Sequence, residues 1–119
     1  MDKDILRIAV ASSDGIVVNN HFGRAKTFYI YEKSSDDTER LIEKRDVIPI
    51  CECANHDDIK LNDNLEKLSD CDYLLVSRIG YEAANVARQK GIEPYEIPGI
   101  ISKSIERLVQ YIKIQNLFE

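Results

Sequence analysis

Two short stretches of the chain carry side chains that bind metals. In Asn19-Asn20-His21-Phe22-Gly23-Arg24-Ala25, one of the chain's two histidines stands in a polar loop beside a glycine and a cation. An imidazole is a borderline-soft ligand that holds iron reversibly. Gly23 lets a bound group approach the backbone, and Arg24 or Lys26 offsets the negative charge of a sulfide-bridged cluster. Ser13, Asn19 and Asn20 supply hydrogen bonds to its sulfides. The second stretch, Cys51-Glu52-Cys53-Ala54-Asn55-His56, offers two thiols and an imidazole. Thiolates suit zinc or iron-sulfur species, but these three donors fall short of the four that close a structural zinc site. Cys71 is no obvious fourth, because the like charge of Asp70 and Asp72 opposes its thiolate and predicts an unreactive thiol. Each stretch also has an ordinary structural reading. Asn and His tolerate left-handed backbone angles, Phe22 is suited to anchoring its loop in a core, and CECANH reads equally as a polar connection between elements.

The elements that hold these loops follow from the hydrophobic pattern. Residues 5–11 (ILRIAVA) form a mostly apolar run, Asp14-Gly15 is a turn signal, and the β-branched run 16–18 follows, which predicts a hairpin. FYIYE at 28–32 and LIEKRDVIPI at 41–50 read as third and fourth strands, so the first half is mostly antiparallel sheet. From residue 57 the period turns helical, with Ile59, Leu61, Leu65 and Leu68 on one face. YLLVS at 73–77 is a short apolar run of the kind buried on both faces of a sheet. YEAANVARQKG at 81–91 is a second helix ended by Gly91, and IEPYEIP is a strand after it. A last helix directs Ile101, Ile105, Leu108, Ile112 and Ile114 inward, with Ser102 or Ser104 as its cap.

Antiparallel N-terminal strands followed by alternating helices and parallel strands make an α/β fold with one mixed sheet, of which a ribonuclease H-like layout is the most economical. Residues 1–119 read as one domain. Ligands of such sheets sit outside the carboxyl ends of the parallel strands. This predicts a shared rim of Ser12 and Ser13, then Ser77, Arg78 and Gly80, then Pro98 and Gly99. His21 reaches that rim only if the second strand is short or its loop folds back.

IAVASSDGIVVNNHFGRAKTFYIYE, followed by LLVSRIGYEAANVARQKGIEPYEIPG, resembles the dinitrogenase iron-molybdenum cofactor biosynthesis family, the NifX-like proteins and the similar domain at the end of NifB. HFGRA at 21–25 is the most specific piece. The resemblance implies a ribonuclease H-like fold and a non-catalytic carrier or chaperone for an iron-sulfur or iron-molybdenum cofactor precursor. His21 is then the candidate ligand, within a surround of Ser12, Ser13, Asn20, Gly23, Arg24, Arg78 and Gly80. Cys51, Cys53 and His56 are further metal candidates. Its partners are the cofactor-assembly proteins that donate or receive the metallocluster cargo.

Other classes fit less well. A two-metal nuclease needs a carboxylate within the first strand, and ILRIAVA has none. No phosphate loop, GxSxG elbow or HExxH is present. A net charge of -5 argues against a nucleic-acid footprint. With 44% apolar and 31% charged residues and no long apolar run, the composition is that of a cytoplasmic globular protein without a membrane span. The competing readings are a small-anion or protein-binding regulatory module without a cluster, and a thiol redox protein using Cys51 and Cys53. The apolar strip IKIQNLF at the end is suited to pairing two chains as a homodimer.

Overall fold

The computed structural model describes residues 5–34, 38–49 and 58–117. In chain order the elements are β1 (Ile5–Ala11), β2 (Val17–Val18), a 3-10 turn (Phe22–Arg24), β3 (Thr27–Ser34), β4 (Glu39–Asp46), α1 (Asp58–Glu66), β5 (Tyr73–Val76), α2 (Tyr81–Gln89), β6 (Glu93–Glu96), β7 (Gly99–Ile100) and α3 (Ile101–Leu117). Five strands form a mixed sheet in the order β4-β3-β1-β5-β6, and β2 pairs with β7 apart from it.

β1 is central because its residues can be buried on both faces. Ile8 and Val10 point to one side, Ala9 and Ala11 to the other, and all four are fully buried. One edge of β1 carries β3 antiparallel, from Ile5 opposite Ser34 to Ala11 opposite Phe28. The other carries β5 in parallel, and β6 adds beyond it in parallel. With both edges taken, β1 cannot accept a hairpin partner. The hairpin predicted for residues 5–18 is therefore not formed, and β2 instead lies antiparallel to β7, with Val17 opposite Ile100 and Val18 opposite Gly99.

Helices cover both faces. Leu61, Leu65 and Leu68 from α1 and the turn after it, together with Ala87 of α2, pack on the Ala9, Phe28 and Leu74 side. Ile101, Ile105 and Leu108 of α3 pack on the Ile8, Val10 and Leu75 side. Two expected core positions turn outward. Ile59 is exposed because the inward stripe of α1 is 61, 64 and 65, with Asn64 donating to the Ile48 carbonyl at 2.7 Å; a residue two before Leu61 lies across the helix. Ile114 is exposed for the same reason, two residues beyond the half-buried Ile112. Ser104 is buried and donates to the Ile97 carbonyl at 2.8 Å, which ties the start of α3 to the end of β6. Gly91 ends α2 as expected. At φ +86° it lets its own N–H reach Arg88 and the Ile92 N–H reach Ala87, and the buried Ile92 packs with the same core as Ala87.

Charged side chains clip the turn between α1 and β5 across the sheet. Arg45 of β4 grips Asp70 with two hydrogen bonds of 2.6 and 2.8 Å and donates to the Lys67 carbonyl at 2.7 Å. Arg7 of β1 bridges Asp70 and Glu32, each at 2.8 Å. Hydrogen bonds from Arg45 first, and from Arg7 after it, hold the Asp70 carboxyl well below the usual carboxylate range despite its partial burial. A depressed carboxylate pKa stabilises the fold above the unfolded value and loses that contribution as pH falls. Denaturant midpoints should therefore drop as pH falls below about 4. Because the pair is partly exposed to solvent, Asp70→Asn should cost only about 1 kcal/mol at pH 7 and should flatten that acid dependence. Urea unfolding of both proteins at pH 7 and pH 3 checks this; an equally steep acid loss in Asp70→Asn would exclude Asp70 as its source.

Candidate functional site

Beyond Ala11 the chain leaves the sheet, and its polar residues build the turn that brings it back. The Ser12 hydroxyl accepts the N–H groups of Gly15 at 2.9 Å and Asp14 at 3.3 Å. The Asp14 carboxylate accepts those of Ile16 at 2.9 Å and Val17 at 3.2 Å, and these bonds lower its pKa. Asn19 closes the turn by accepting the Ser13 N–H at 3.0 Å and donating to the Ser13 hydroxyl at 2.8 Å. Gly15 sits at φ +76°, where a Cβ would lie 2.9 Å from the Tyr29 ring, so a side chain there would be strained twice over.

The returning chain fills the place that β1 vacates beside β5. The Asn20 N–H points to the Ala11 carbonyl at 3.4 Å, the Asn20 carbonyl accepts the Ser77 N–H at 3.0 Å, and the Phe22 N–H donates to the Arg78 carbonyl at 2.8 Å. His21 and Arg78 thus form a parallel bridge beyond the end of β5. The condition set by the sequence is met, since β2 has two residues and its loop folds back.

A single 3-10 turn then divides the side chains by direction, because residues three apart align in it. Phe22 and Ala25 go into the core, Phe22 meeting Phe28 at 5.8 Å between ring centres. His21 and Arg24 are exposed on the other side. They line a cavity of about 640 Å³ together with Gly23, Arg78, Ile79, Gly80 and Glu96. Five of the eight residues expected around a bound group therefore share one cavity. Ser12, Ser13 and Asn20 do not line it, and the two serines are engaged in the turn. Lys26, Pro98 and Gly99 lie outside it as well.

Ile79 and Glu96 were not anticipated from the sequence. Glu96 ends β6, and the rule that ligands gather at the carboxyl ends of parallel strands was the signal that could have found it. Its Oε2 accepts the Ile79 N–H at 2.9 Å. α2 begins just beyond Gly80, with no side chain capping its first turn, and a Cβ at Gly80 would meet nothing within 4 Å. The amides of that turn, which have no partner within the helix, carry the positive end of the helix dipole. The cavity is accordingly ringed by two guanidinium groups, an imidazole, the start of α2 and one carboxylate.

Among the described residues no group of three His, Cys, Asp or Glu side chains is placed to hold a metal ion. His21 offers a single imidazole. Cys51, Cys53 and His56 lie outside the described residues. No helix among those described is long and apolar enough to cross a membrane.

A sequence model of the family described as dinitrogenase iron-molybdenum cofactor matches residues 4–111. The FeMo cofactor biosynthesis protein NifB of Frankia alni is 38% identical over 109 residues, which covers 88% of this chain and 21% of that protein. The NifB of Klebsiella pneumoniae is 37% identical over 102 residues, covering 76% of this chain and 20% of its own length. The chain thus spans about a fifth of these relatives. Among solved structures, the crystal structure of PH0822 superposes with a TM-score of 0.67 at 21% identity, over 88% of this chain and 91% of that one. The NMR structure of TM1290 from Thermotoga gives 0.56 at 20% identity, over 88% of each. At these identities the two structures establish a shared fold.

Cys71 stands apart from the cavity. It is buried at the end of the clipped turn, and its thiol donates to Asp70 at 3.7 Å. Its pKa is pushed up to about 12, chiefly by burial and next by the charge of Asp70. The inertness expected from the flanking acids thus has a stronger cause. In a Cys51→Ser/Cys53→Ser variant, Ellman's reagent at pH 8 should find no reactive thiol in the native chain and one after denaturation. Reaction of the native variant would show that the turn opens.

Proposed function

Because the chain belongs to the dinitrogenase iron-molybdenum cofactor family, we propose that it binds and passes on an iron-sulfur or iron-molybdenum cofactor precursor without catalysing a reaction. The observation that carries this reading is the exposed His21, fixed through its backbone bridge to Arg78 at a cavity that Arg24 and Arg78 also line. In this reading the His21 imidazole binds a metal of the cargo, and the two guanidinium groups neutralise its charge and donate to its sulfides. Gly23 and Gly80 admit the cargo close to the backbone, and the first turn of α2 adds a field that favours an anion. One protein ligand suits transfer, because few bonds must break for the cargo to leave. Cys51, Cys53 and His56, on the connection between β4 and α1, are the further donors that we assign to cargo capture. The cargo arrives from and departs to other cofactor-assembly proteins. We also read the mixed sheet, with three antiparallel-linked strands and two parallel additions, as ribonuclease H-like.

The features that suit an anionic cluster also suit a plain anion, so the alternative is a small-anion module. Anaerobic titration with a preformed iron-sulfur cluster, followed by absorption and iron counting, separates the two. The wild type should turn brown and show sulfide-to-iron charge-transfer bands, and His21→Ala should bind about tenfold or more weakly. Uptake by His21→Ala equal to wild type would remove His21 as ligand. A colourless wild type would leave the anion module. The Cys51→Ser/Cys53→Ser variant reports whether CECANH shares the cargo.

A further inference from the structure

Glu96 lines the cavity, yet its charge has the wrong sign for an anionic occupant. It is the last residue of β6, opposite Val76 of β5. Past Val76 the β5 chain bonds towards the His21 segment, through the Ser77 N–H and the Arg78 carbonyl. The next N–H, that of Ile79, goes to the Glu96 carboxylate at 2.9 Å. Ile79 and Gly80 both line the cavity, and α2 starts directly after them without a side-chain cap. A carboxylate of the chain itself therefore occupies a backbone donor two residues before α2, next to the helix start, which favours anions. Of the charged side chains that line the cavity with Glu96, Arg24 and Arg78 are cations; Glu82, in the first turn of α2, does not line it.

Resting on the reading of this cavity as the cargo site, we infer that Glu96 is a built-in competitor of the cargo. Its carboxylate holds the Ile79 N–H against an anionic ligand and repels that ligand, so the site binds less tightly than its cations alone would dictate. For a carrier this repulsion speeds release to the next protein.

Tetrathiomolybdate, a coloured metal-sulfide dianion, is the probe. Glu96→Gln keeps an oxygen that can accept the Ile79 N–H and removes only the charge. It should bind the probe about threefold to tenfold more tightly at low ionic strength, with slower dissociation, and the difference should shrink as salt rises. An Arg24→Gln/Arg78→Gln variant tests the cavity itself and should bind more weakly. Weaker binding in the arginine variant with unchanged binding in Glu96→Gln would overturn the competitor role and leave the cavity reading standing. Weaker binding in Glu96→Gln would overturn it in favour of Glu96 as a direct contact of the cargo. Equal binding by the arginine variant and wild type, or no binding by any variant, would overturn both.

Discussion

The candidate site depends on one backbone exchange, in which residues 20–22 bond to Ser77 and Arg78 in the space where β1 would otherwise continue. β1 stops at Ala11 while the chain after β5 runs on, and backbone groups at such an edge must find partners. The returning loop supplies them. In doing so it sets His21 beside Arg78, although 56 positions of sequence separate them. Neither residue needs its side chain for this placement, so both side chains remain free to face the cavity.

Around that exchange the molecule divides its tasks by sheet face. The face under α1 and α2 carries the small residues Ala9 and Ala11 and the anchor Phe22, which allows the 3-10 turn to press against the core while His21 and Arg24 point away. On the same side of the sheet, Arg45, Arg7 and Asp70 tie the turn before β5 to β4 and β1. That clamp fixes where β5 starts, and the short strand carries the register on to Ser77 and Arg78. The face under α3 packs mostly apolar side chains, from Ile8 and Val10 to Ile105 and Leu108, with four tyrosines against them. β2 joins it through Val18 and its pairing with β7, so the loop that carries His21 is braced from both faces.

What the sequence disclosed about this arrangement followed from local rules. Period and burial marked β1, β3, β5, β6 and the helices, and Gly91 marked a helix end by its backbone freedom. The rim rule brought Arg78 and Gly80 to the same end of the sheet as the His21 loop. The misses share a different cause. Asp14-Gly15 signals a turn but not where the chain goes next, and the partner of β2 lies some 80 residues onward. Ile59 and Ile114 are apolar in sequence, yet helical geometry places each across the helix from its inward neighbours. Ser12 and Ser13 stand at the expected strand end, but nearby N–H groups claim them first, as short hydroxyl side chains in turns commonly do. Glu96 resembles any surface acid until the Ile79 N–H is found on it.

The carrier role we propose has two opposed requirements, and the cavity offers different kinds of groups for them. Coordinate bonds are strong and directional, so a site rich in Cys and His would hold a cluster as a permanent cofactor. Ionic and dipolar contacts fall off with solvent access and can be exchanged one at a time as a partner approaches. Here the described lining holds one imidazole against two guanidinium groups, an uncapped helix start and a single opposing carboxylate. In the proposed reading, orientation would come from one bond at His21, whose backbone is bridged to Arg78, and retention mostly from charge. In that reading a partner that offers a second strong ligand would have to outcompete only that one bond, and the remaining attraction is of a kind that solvent and salt can replace.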